Sequence, residues 1–280
     1  MVAVVQLART SGCGPEGRRF ESAQPPNEFL RLILLFKMNF SICIPTLNEE
    51  KYLPLLLNCL LNQDYQNFEV IISDGGSVDK TLEVAKKYQN SLNLKILKNS
   101  QKGVSFQRNS AASLSKFDNL IFLDADTQIQ KDFLLTIKNY LQKHPEIGAL
   151  TSYNIPISNN LIDKIVFWFF NVFILSAFQK ISPIAVGTFI YAKKEAFNKI
   201  GGFDNNLTYG EDVNLVKRIA KAGYKFKVLK KPPIYFSVRR LKEEGRIKFF
   251  AKSIYLGIFY VLRNKKFSNS KIKYEFGKHQ

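Results

Sequence analysis

From Phe40 to His144 short apolar runs alternate with amphipathic helical patterns, and no other feature constrains the fold of this chain as much. The runs are FSICIP (40–45), FEVIIS (68–73), LKILK (94–98) and NLIFLD (119–124). Between and after them come a helical pattern through Leu53, Leu56, Leu57, Leu60 and Leu61, then helices from about Val78 to Tyr88, Ser105 to Lys116 and Lys131 to His144. Pro54 falls in the first turn of the first helix, where a missing N–H costs nothing. A β-α rhythm of this kind predicts an α/β fold: a mostly parallel sheet, mixed at its far side, with helices on both faces. After Gly148 the pattern changes to a strand near 149–155, a very apolar helix over 161–180, a strand over 184–192 and a helix over 211–222 stopped by Gly223. A second half of that kind usually shapes the site of a second ligand.

Composition narrows the function. With 46% hydrophobic and 23% charged residues, 24 Phe and 12 Tyr, the 280-residue chain is globular, which excludes a disordered or collagen-like protein. Forty-one Lys+Arg against 23 Asp+Glu leave a net charge of +18, which implies an anionic partner: nucleic acid, a phosphorylated substrate or an acidic membrane. Cys13, Cys43 and Cys59 form no CxxC spacing, so neither a disulfide framework nor a zinc site is expected, and a reducing cytosolic setting fits. The only histidines are His144 and His279, so a metal would be held by carboxylate oxygen, which favours Mg²⁺ or Mn²⁺.

Three stretches stand apart. Residues 1–37 hold four of the ten arginines but one of the 31 lysines, and the change of idiom at Met38 marks them as an extension, an irregular tail or a mis-assigned start, dispensable for folding. Ile165–Phe178, bounded by Lys164 and Lys180, reaches only about 21 Å as a helix, short of a bilayer core of roughly 30 Å. It is either a buried core helix or an interfacial helix lying in lipid. Residues 239–280 carry 12 Lys+Arg and three Glu interleaved with FF, IYLGIFYVL and Phe267, a basic amphipathic segment suited to an anionic lipid surface.

The residues able to do chemistry cluster at predicted strand ends, where open α/β sheets bind ligands. Asp74 ends FEVIIS within DGGSVDKT, a segment that a turn and a helix start would explain equally well. LIFLDADT is stronger: Asp124 and Asp126, two apart in extended chain, share a face and could converge on one divalent cation, or else cap the following helix. Lys102 and Arg108 flank Gly103 and a first helical turn, a natural place for phosphate or a nucleobase. Glu211 and Asp212 open a helix after GGFDNNLTYG; they either complement its dipole or supply a general base facing an acceptor pocket.

Taken in order, PTLNE (45–49), DGGSVDKT (74–81), the Gly103–Asn109 element ending in Arg-Asn, DADT (124–127) and GGF followed by GED (201–212) closely resemble the family 2 glycosyltransferases of GT-A fold. Two features depart from the family pattern: Gln107 stands where Ala is common, and residues 1–37 have no counterpart. The resemblance implies a GT-A catalytic domain over 38–238 in which Pro45, Thr46, Asn48, Glu49 and Asp74 line the nucleotide pocket and Arg108 helps to hold nucleobase or phosphate. It further implies that Asp124 and Asp126 form the DxD motif, with Asp126 the direct metal ligand, and that Asp212 is the catalytic base beside Glu211. The SVRR element at 237–240 resembles the basic segment of membrane-associated members, so Arg239 and Arg240 are expected to face phosphates.

The expected activity is inverting transfer of a sugar from a nucleotide-diphosphate donor, with Mg²⁺ or Mn²⁺, to a lipid-linked or other membrane-presented glycan acceptor. The expected place is the inner face of the cell membrane, held peripherally by its anionic surface, with no nucleic acid bound. Two rivals remain: a sugar-nucleotide nucleotidyltransferase, which usually carries a Gly-rich loop after its first strand where this chain has PTLNEEKY, and a nonenzymatic basic protein binding nucleic acid or membrane. Against the second, acids at strand and helix ends would repel phosphate without a cation.

Overall fold

The computed structural model describes residues 38–99, 101–177, 179, 182–207 and 209–246. The expectations for residues 1–37 and for the basic stretch beyond Arg246 therefore lie outside the described residues. One eight-stranded sheet organises what is described, in the order β3-β2-β1-β4-β7-β6-β8-β5. Its first half is parallel: β1 (Phe40–Thr46) lies between β2 (Phe68–Asp74) and β4 (Asn119–Leu123), and β3 (Leu94–Lys98) flanks β2. The carboxyl ends of β1, β2 and β4 thus share one edge.

Both faces of this half are covered, which is why its strands read as nearly unbroken apolar runs. Ile42 and Ile44 of β1, Val70 and Ile72 of β2, and Ile121 and Leu123 of β4 pack on one face against α1 (Leu53–Leu61) and α4 (Phe133–Lys143). The alternate residues Cys43, Ile71, Leu120 and Phe122 meet α3 (Val104–Ser113), α6 (Lys194–Lys199) and α7 (Glu211–Lys221) on the other. Helix α2 (Thr81–Lys87) completes the crossover from β2 to β3.

The second half corrects the sequence reading in several places. The expected helix over 161–180 is α5 (Leu161–Phe169) continued by a π-helical segment, Phe170–Ser176. It is not a core helix, since Leu161, Ile162, Ile165, Trp168, Phe169 and Phe173 are exposed. The strand expected over 184–192 is β7 (Phe189–Lys193), antiparallel to both β4 and β6 (Ile147–Ile157). The helix that Gly201 and Gly202 were expected to end is α6, but the sequence reading missed β8 (Lys225–Ser237) altogether. Strand β8 runs through KKPP, which reads as loop because proline cannot donate to a ladder. The sheet accommodates it by an irregularity: Ser152 pairs Leu229 and Asn154 pairs Ile234, so residues 230–233 have no ladder partner in β6, and the Ser152 hydroxyl donates to the Pro232 carbonyl instead. Short β5 (Thr127–Gln128) then pairs antiparallel with Tyr235–Phe236, and α8 (Arg239–Glu244) follows.

One buried charge holds the parallel half together. Glu69 of β2 has no exposed side-chain surface and accepts from Ser41 Oγ at 2.8 Å, the Lys116 amide at 2.6 Å and Lys95 Nζ at 2.9 Å. Burial opposes its charge, but the Lys116 amide, Lys95 and Ser41 prevail and hold the carboxyl below its ordinary 4.5. Glu69→Ala is expected to cost about 3 kcal/mol by stranding these donors. A folded pKa below the unfolded one stabilises above the unfolded value and ceases to do so as pH falls through the folded one. Urea unfolding from pH 7 to pH 3 should therefore show the gap between parent and Glu69→Gln narrowing in acid.

Candidate active site

The loops after β1 and β2 are stitched together by side chains. Asp74, buried at the end of β2, accepts from the amides of Gly76 (3.0 Å) and Ser77 (2.9 Å), from Thr46 Oγ1 (3.1 Å) and from the Ser77 hydroxyl. Asn48, in the left-handed region at φ 57°, accepts from the Val78 amide and offers its own N–H to Ser77 Oγ. The Glu49 amide donates to Thr81 Oγ1. Pro45 and Thr46 are buried in β1 itself. Of the five residues expected to line a nucleotide pocket, Asp74, Thr46 and Asn48 are thus engaged in shaping its loops.

Gln107 has a structural account. Its amide donates to the Thr46 carbonyl at 2.9 Å across the floor of this pocket, and a Cβ at Gly75 would meet its nitrogen at 2.1 Å. The glycine and the glutamine therefore require each other, where a smaller residue at 107 would leave a void.

Arg108 is also placed differently from the expectation of a phosphate or base contact. It is 1% exposed and forms an internal counter-charge. Nη2 donates to Asp124 Oδ1 at 2.7 Å and to the Gly187 carbonyl at 3.1 Å, Nη1 donates to Glu211 Oε1 at 3.1 Å, and the Phe203 ring lies 5.2 Å from the guanidinium carbon. Burial disfavours its charge, yet Asp124, Glu211 and Asp212 more than compensate and raise its pKa. Gly187 makes the approach feasible, because a Cβ there would sit 2.7 Å from Nη2. The sequence reading missed Gly187; the signal was a glycine just before a strand in IAVGTF. The neighbouring Asn109 exchanges two hydrogen bonds with the Phe203 backbone, at 2.8 and 2.9 Å, so the Arg-Asn pair clamps the GGF loop.

Asp124 and Asp126 are both partly buried while Ala125 and Thr127 are buried, but β4 ends at Leu123 and the two acids sit on a turn, not in the extended chain that the i, i+2 reading assumed. Thr127 closes the turn by donating to the Asp124 carbonyl from its amide and its hydroxyl, at 3.2 and 2.7 Å. Asp126 Oδ2 lies 3.4 Å from Arg239 Nε. Arg239 also grips Glu49 with both terminal nitrogens, one at 2.8 Å, and stacks 4.5 Å from the Tyr52 ring centre. The start of α8 thereby reaches back to the loop after β1, so that Arg239, expected to face phosphates, is paired with Glu49 and Asp126; the Arg240 side chain lies outside the described residues. Burial, opposed by Arg239 and aided by Asp126 and Asp124, pushes the Glu49 carboxyl up to about 7. Tyr52 was not foreseen, although an aromatic three residues after Glu49 was the available signal. Lys102 stands exposed in the loop before α3.

Glu211 and Asp212 open α7 after Gly210, whose φ of 73° lets the chain turn into the helix. The helix N-terminus and the Val213 amide, which donates to Asp212 Oδ1 at 2.7 Å, both favour the charged acid. Burial outweighs them, Glu211 adds like-charge repulsion, Arg108 opposes, and the carboxyl is pushed up to about 7. That value suits a general base working near neutrality.

Among the described residues no group of three or more His, Cys, Asp or Glu side chains could hold a metal alone. Asp124 and Asp126, two positions apart, supply carboxylate oxygens of the kind that a hard cation such as Mg²⁺ would take. A cavity of about 230 Å³ opens beside Asp126, walled by Tyr52, Gln128, Ser237 and Arg239.

The parallel half-sheet with acids at its carboxyl edge, joined to a second half in which β7 and β5 run antiparallel to their neighbours while β6 and β8 are parallel, is the architecture of GT-A transferases. The model described as Glycosyl transferase family 2 matches residues 41–201, more than half of the chain, and the chain belongs to that family. The model described as N-terminal domain of galactosyltransferase matches residues 175–243. Among curated proteins, the poly(ribitol-phosphate) beta-N-acetylglucosaminyltransferase TarS of Staphylococcus aureus is 38% identical over 111 residues, 38% of this chain and 19% of that protein. A Methanococcus voltae dolichyl N-acetyl-alpha-D-glucosaminyl phosphate 3-beta-D-2,3-diacetamido-2,3-dideoxy-beta-D-glucuronosyltransferase is 31% identical over 191 residues, 64% of this chain and 55% of that one. The chain thus matches about half or less of the length of these relatives. Among solved structures, S. aureus TarS 1–349 in complex with UDP-GlcNAc superposes with a TM-score of 0.59 at 26% identity, covering 72% of this chain and 59% of the other. The Pyrobaculum calidifontis mannosyltransferase PcManGT, in complex with GDP-Man and Mn²⁺, shares the fold at 19% identity and a TM-score of 0.60, covering 81% and 72%. No described helix is long and apolar enough to cross a membrane.

Proposed function

We propose that this chain is a glycosyltransferase that moves a sugar, with inversion, from a nucleotide-diphosphate donor to the hydroxyl of a lipid-linked or membrane-presented glycan. The observation that carries the reading is the buried Arg108, which ties Asp124 at the end of β4 to Glu211 and, through its charge, to Asp212 at the start of α7. One guanidinium thus couples the donor-side acid to the acceptor-side acids. Asp212 takes the proton of the acceptor hydroxyl as its oxygen attacks the anomeric carbon from the face opposite the diphosphate. The new carbon–oxygen bond forms while the bond to the phosphate oxygen breaks, and the electron pair leaves on the nucleotide diphosphate. No covalent intermediate is required.

The loops bearing Asn48, Glu49 and Asp74 hold the nucleotide, and Arg239, Arg240 and Lys102 face its phosphates. Asp126, with Asp124, would hold a divalent cation, which supplies Lewis-acid neutralisation of the leaving diphosphate. Peripheral attachment to an anionic membrane through 239–280 agrees with the surplus of base there.

The test is a screen of UDP- and GDP-sugars with Mn²⁺, read as nucleotide diphosphate released. Release of pyrophosphate instead would mark a nucleotidyltransferase and refute the reading. In the same assay Asp126→Ala is expected to weaken nucleotide-diphosphate affinity in the presence of Mn²⁺ by roughly tenfold to a hundredfold, with parent and variant converging once a chelator is added. Equal affinities throughout would remove Asp126 from the metal site.

A further inference from the structure

Helix α5 is amphipathic in the inverted sense. Leu161, Ile162, Ile165, Trp168 and Phe169 recur at helical spacing and face outward, continued by Phe173; Leu161 is 68% and Trp168 60% exposed. The inward face carries the polar groups. Asp163 has no exposed surface and is held by Ser158 Oγ at 2.6 Å and Arg246 Nε at 2.8 Å, and Asn171 exchanges hydrogen bonds with the Asn154 backbone at 2.8 and 2.9 Å. A helix in water buries its apolar stripe and exposes its polar one. Here the fold satisfies the polar groups internally and holds an aromatic ridge outside, with Phe169 and Phe173 stacked at 4.4 Å. Contiguous apolar surface of this kind marks an interaction site.

Charge identifies the occupant. The ridge adjoins a cavity of about 410 Å³ lined by Ser158, Asn160, Lys242 and Arg246, and Lys164 stands exposed on α5 itself. This cavity shares Ile157 and Lys242 with the one that contains Asp126, so the two are neighbours and the ridge begins at the edge of the candidate donor site. Aromatic residues beside basic side chains match the boundary of an anionic leaflet, where rings enter the acyl region and Lys and Arg meet phosphates.

We propose that the outer face of residues 157–173 seats in an anionic phospholipid leaflet, with a lipid phosphate received by the Lys242 and Arg246 cavity. The donor site then opens at the membrane surface, so the acceptor is drawn from lipid-borne molecules. The assignment of a substrate class rests on the glycosyltransferase reading above; the membrane contact stands without it. The contact is built from described residues and is expected to survive truncation beyond Arg246.

Trp168 is the sole tryptophan of the chain, so its emission reports on the ridge directly. Titration of the full chain with phosphatidylglycerol vesicles is expected to shift that emission to the blue and to bring the protein to the top of a flotation gradient, with phosphatidylcholine vesicles far weaker. Phe169→Ser with Phe173→Ser should reduce partitioning at least about tenfold, and Lys242→Gln about fivefold. The serine pair should keep the parent's circular dichroism and its cleavage of nucleotide-sugar in vesicle-free buffer. Loss of that cleavage in the parent refutes the enzyme reading, whereas absent flotation with cleavage intact refutes the membrane contact. Emission already blue and unmoved by vesicles would show the ridge covered by its own chain. A shift that follows protein concentration without lipid would show a second copy on it. Equal response to both lipids would remove the phosphate cavity. Each of these overturns the proposal.

Discussion

Replacing Asp212 by Asn is expected to lower kcat by about 10² to 10⁴ while leaving nucleotide-diphosphate affinity nearly unchanged, because the amide keeps the size of the acid and loses only its capacity to take a proton. Glu211→Gln should cost less, its carboxylate being turned to Arg108. The carboxyl of Asp212 lies at about 7, raised by burial and by Glu211, so the parent rate should rise as pH passes through that region and level off above it; the variant should lose this acidic limb. Stability should move the other way. A folded pKa above the ordinary 3.8 means that charging the acid opposes folding, increasingly as pH rises from 3.8 towards 7. Asp212→Asn should then be at least as stable as the parent at pH 8. Thermal melts and turnover measured on the same preparations decide the matter: a variant that is slow because it unfolds shows Asp212 to be a helix-capping residue, and normal turnover excludes it as the base.

Arg108→Met is expected to destabilise the chain by about 3 kcal/mol or more, since Glu211 loses its buried partner and Asp124 one of its own. Urea unfolding measures the loss. Arg108→Lys should recover little, because one ammonium cannot reach Asp124, the Gly187 carbonyl and Glu211 together. Arg108→Met should also raise the Asp212 carboxyl further by removing a nearby positive charge, moving any residual pH–rate profile to higher pH, whereas Arg108→Lys keeps a positive charge there. A surface arginine contacting only donor phosphate would change affinity for nucleotide diphosphate and leave stability alone, so the two readouts separate the roles.

What could be read in advance follows from periodicity. Strands β1, β2 and β4 have both faces buried, so each is an apolar run that needs no partner to be recognised, and the acids at the ends of β2 and β4 fall at the ligand-binding edge of any parallel sheet. The Asp124 and Asp126 pair was legible as acids following an apolar run, although the structure sets them on a turn beyond β4 and not in extended chain. Strand β8 was not, because its lysines and prolines depart from strand composition and only the irregular pairing with β6 accommodates them. The apolar content of 161–178 was equally visible, but not its direction: composition cannot say which side of a helix faces protein, and that depended on Asp163 and Asn171 finding partners in Arg246 and Asn154.

The sequence by itself determined the α/β class, which acids stand at the ends of the parallel strands, and the family resemblance, since each depends on local spacing or residue supply. The tertiary structure alone decided that Arg108 is an internal counter-charge and not a surface contact, that Arg239 reaches Glu49 and Asp126 from the far end of the fold, and that burial overrides the helix dipole at Asp212. These depend on which groups lose water and which charges are brought together by residues about a hundred or more positions apart. Local pattern carries no record of either.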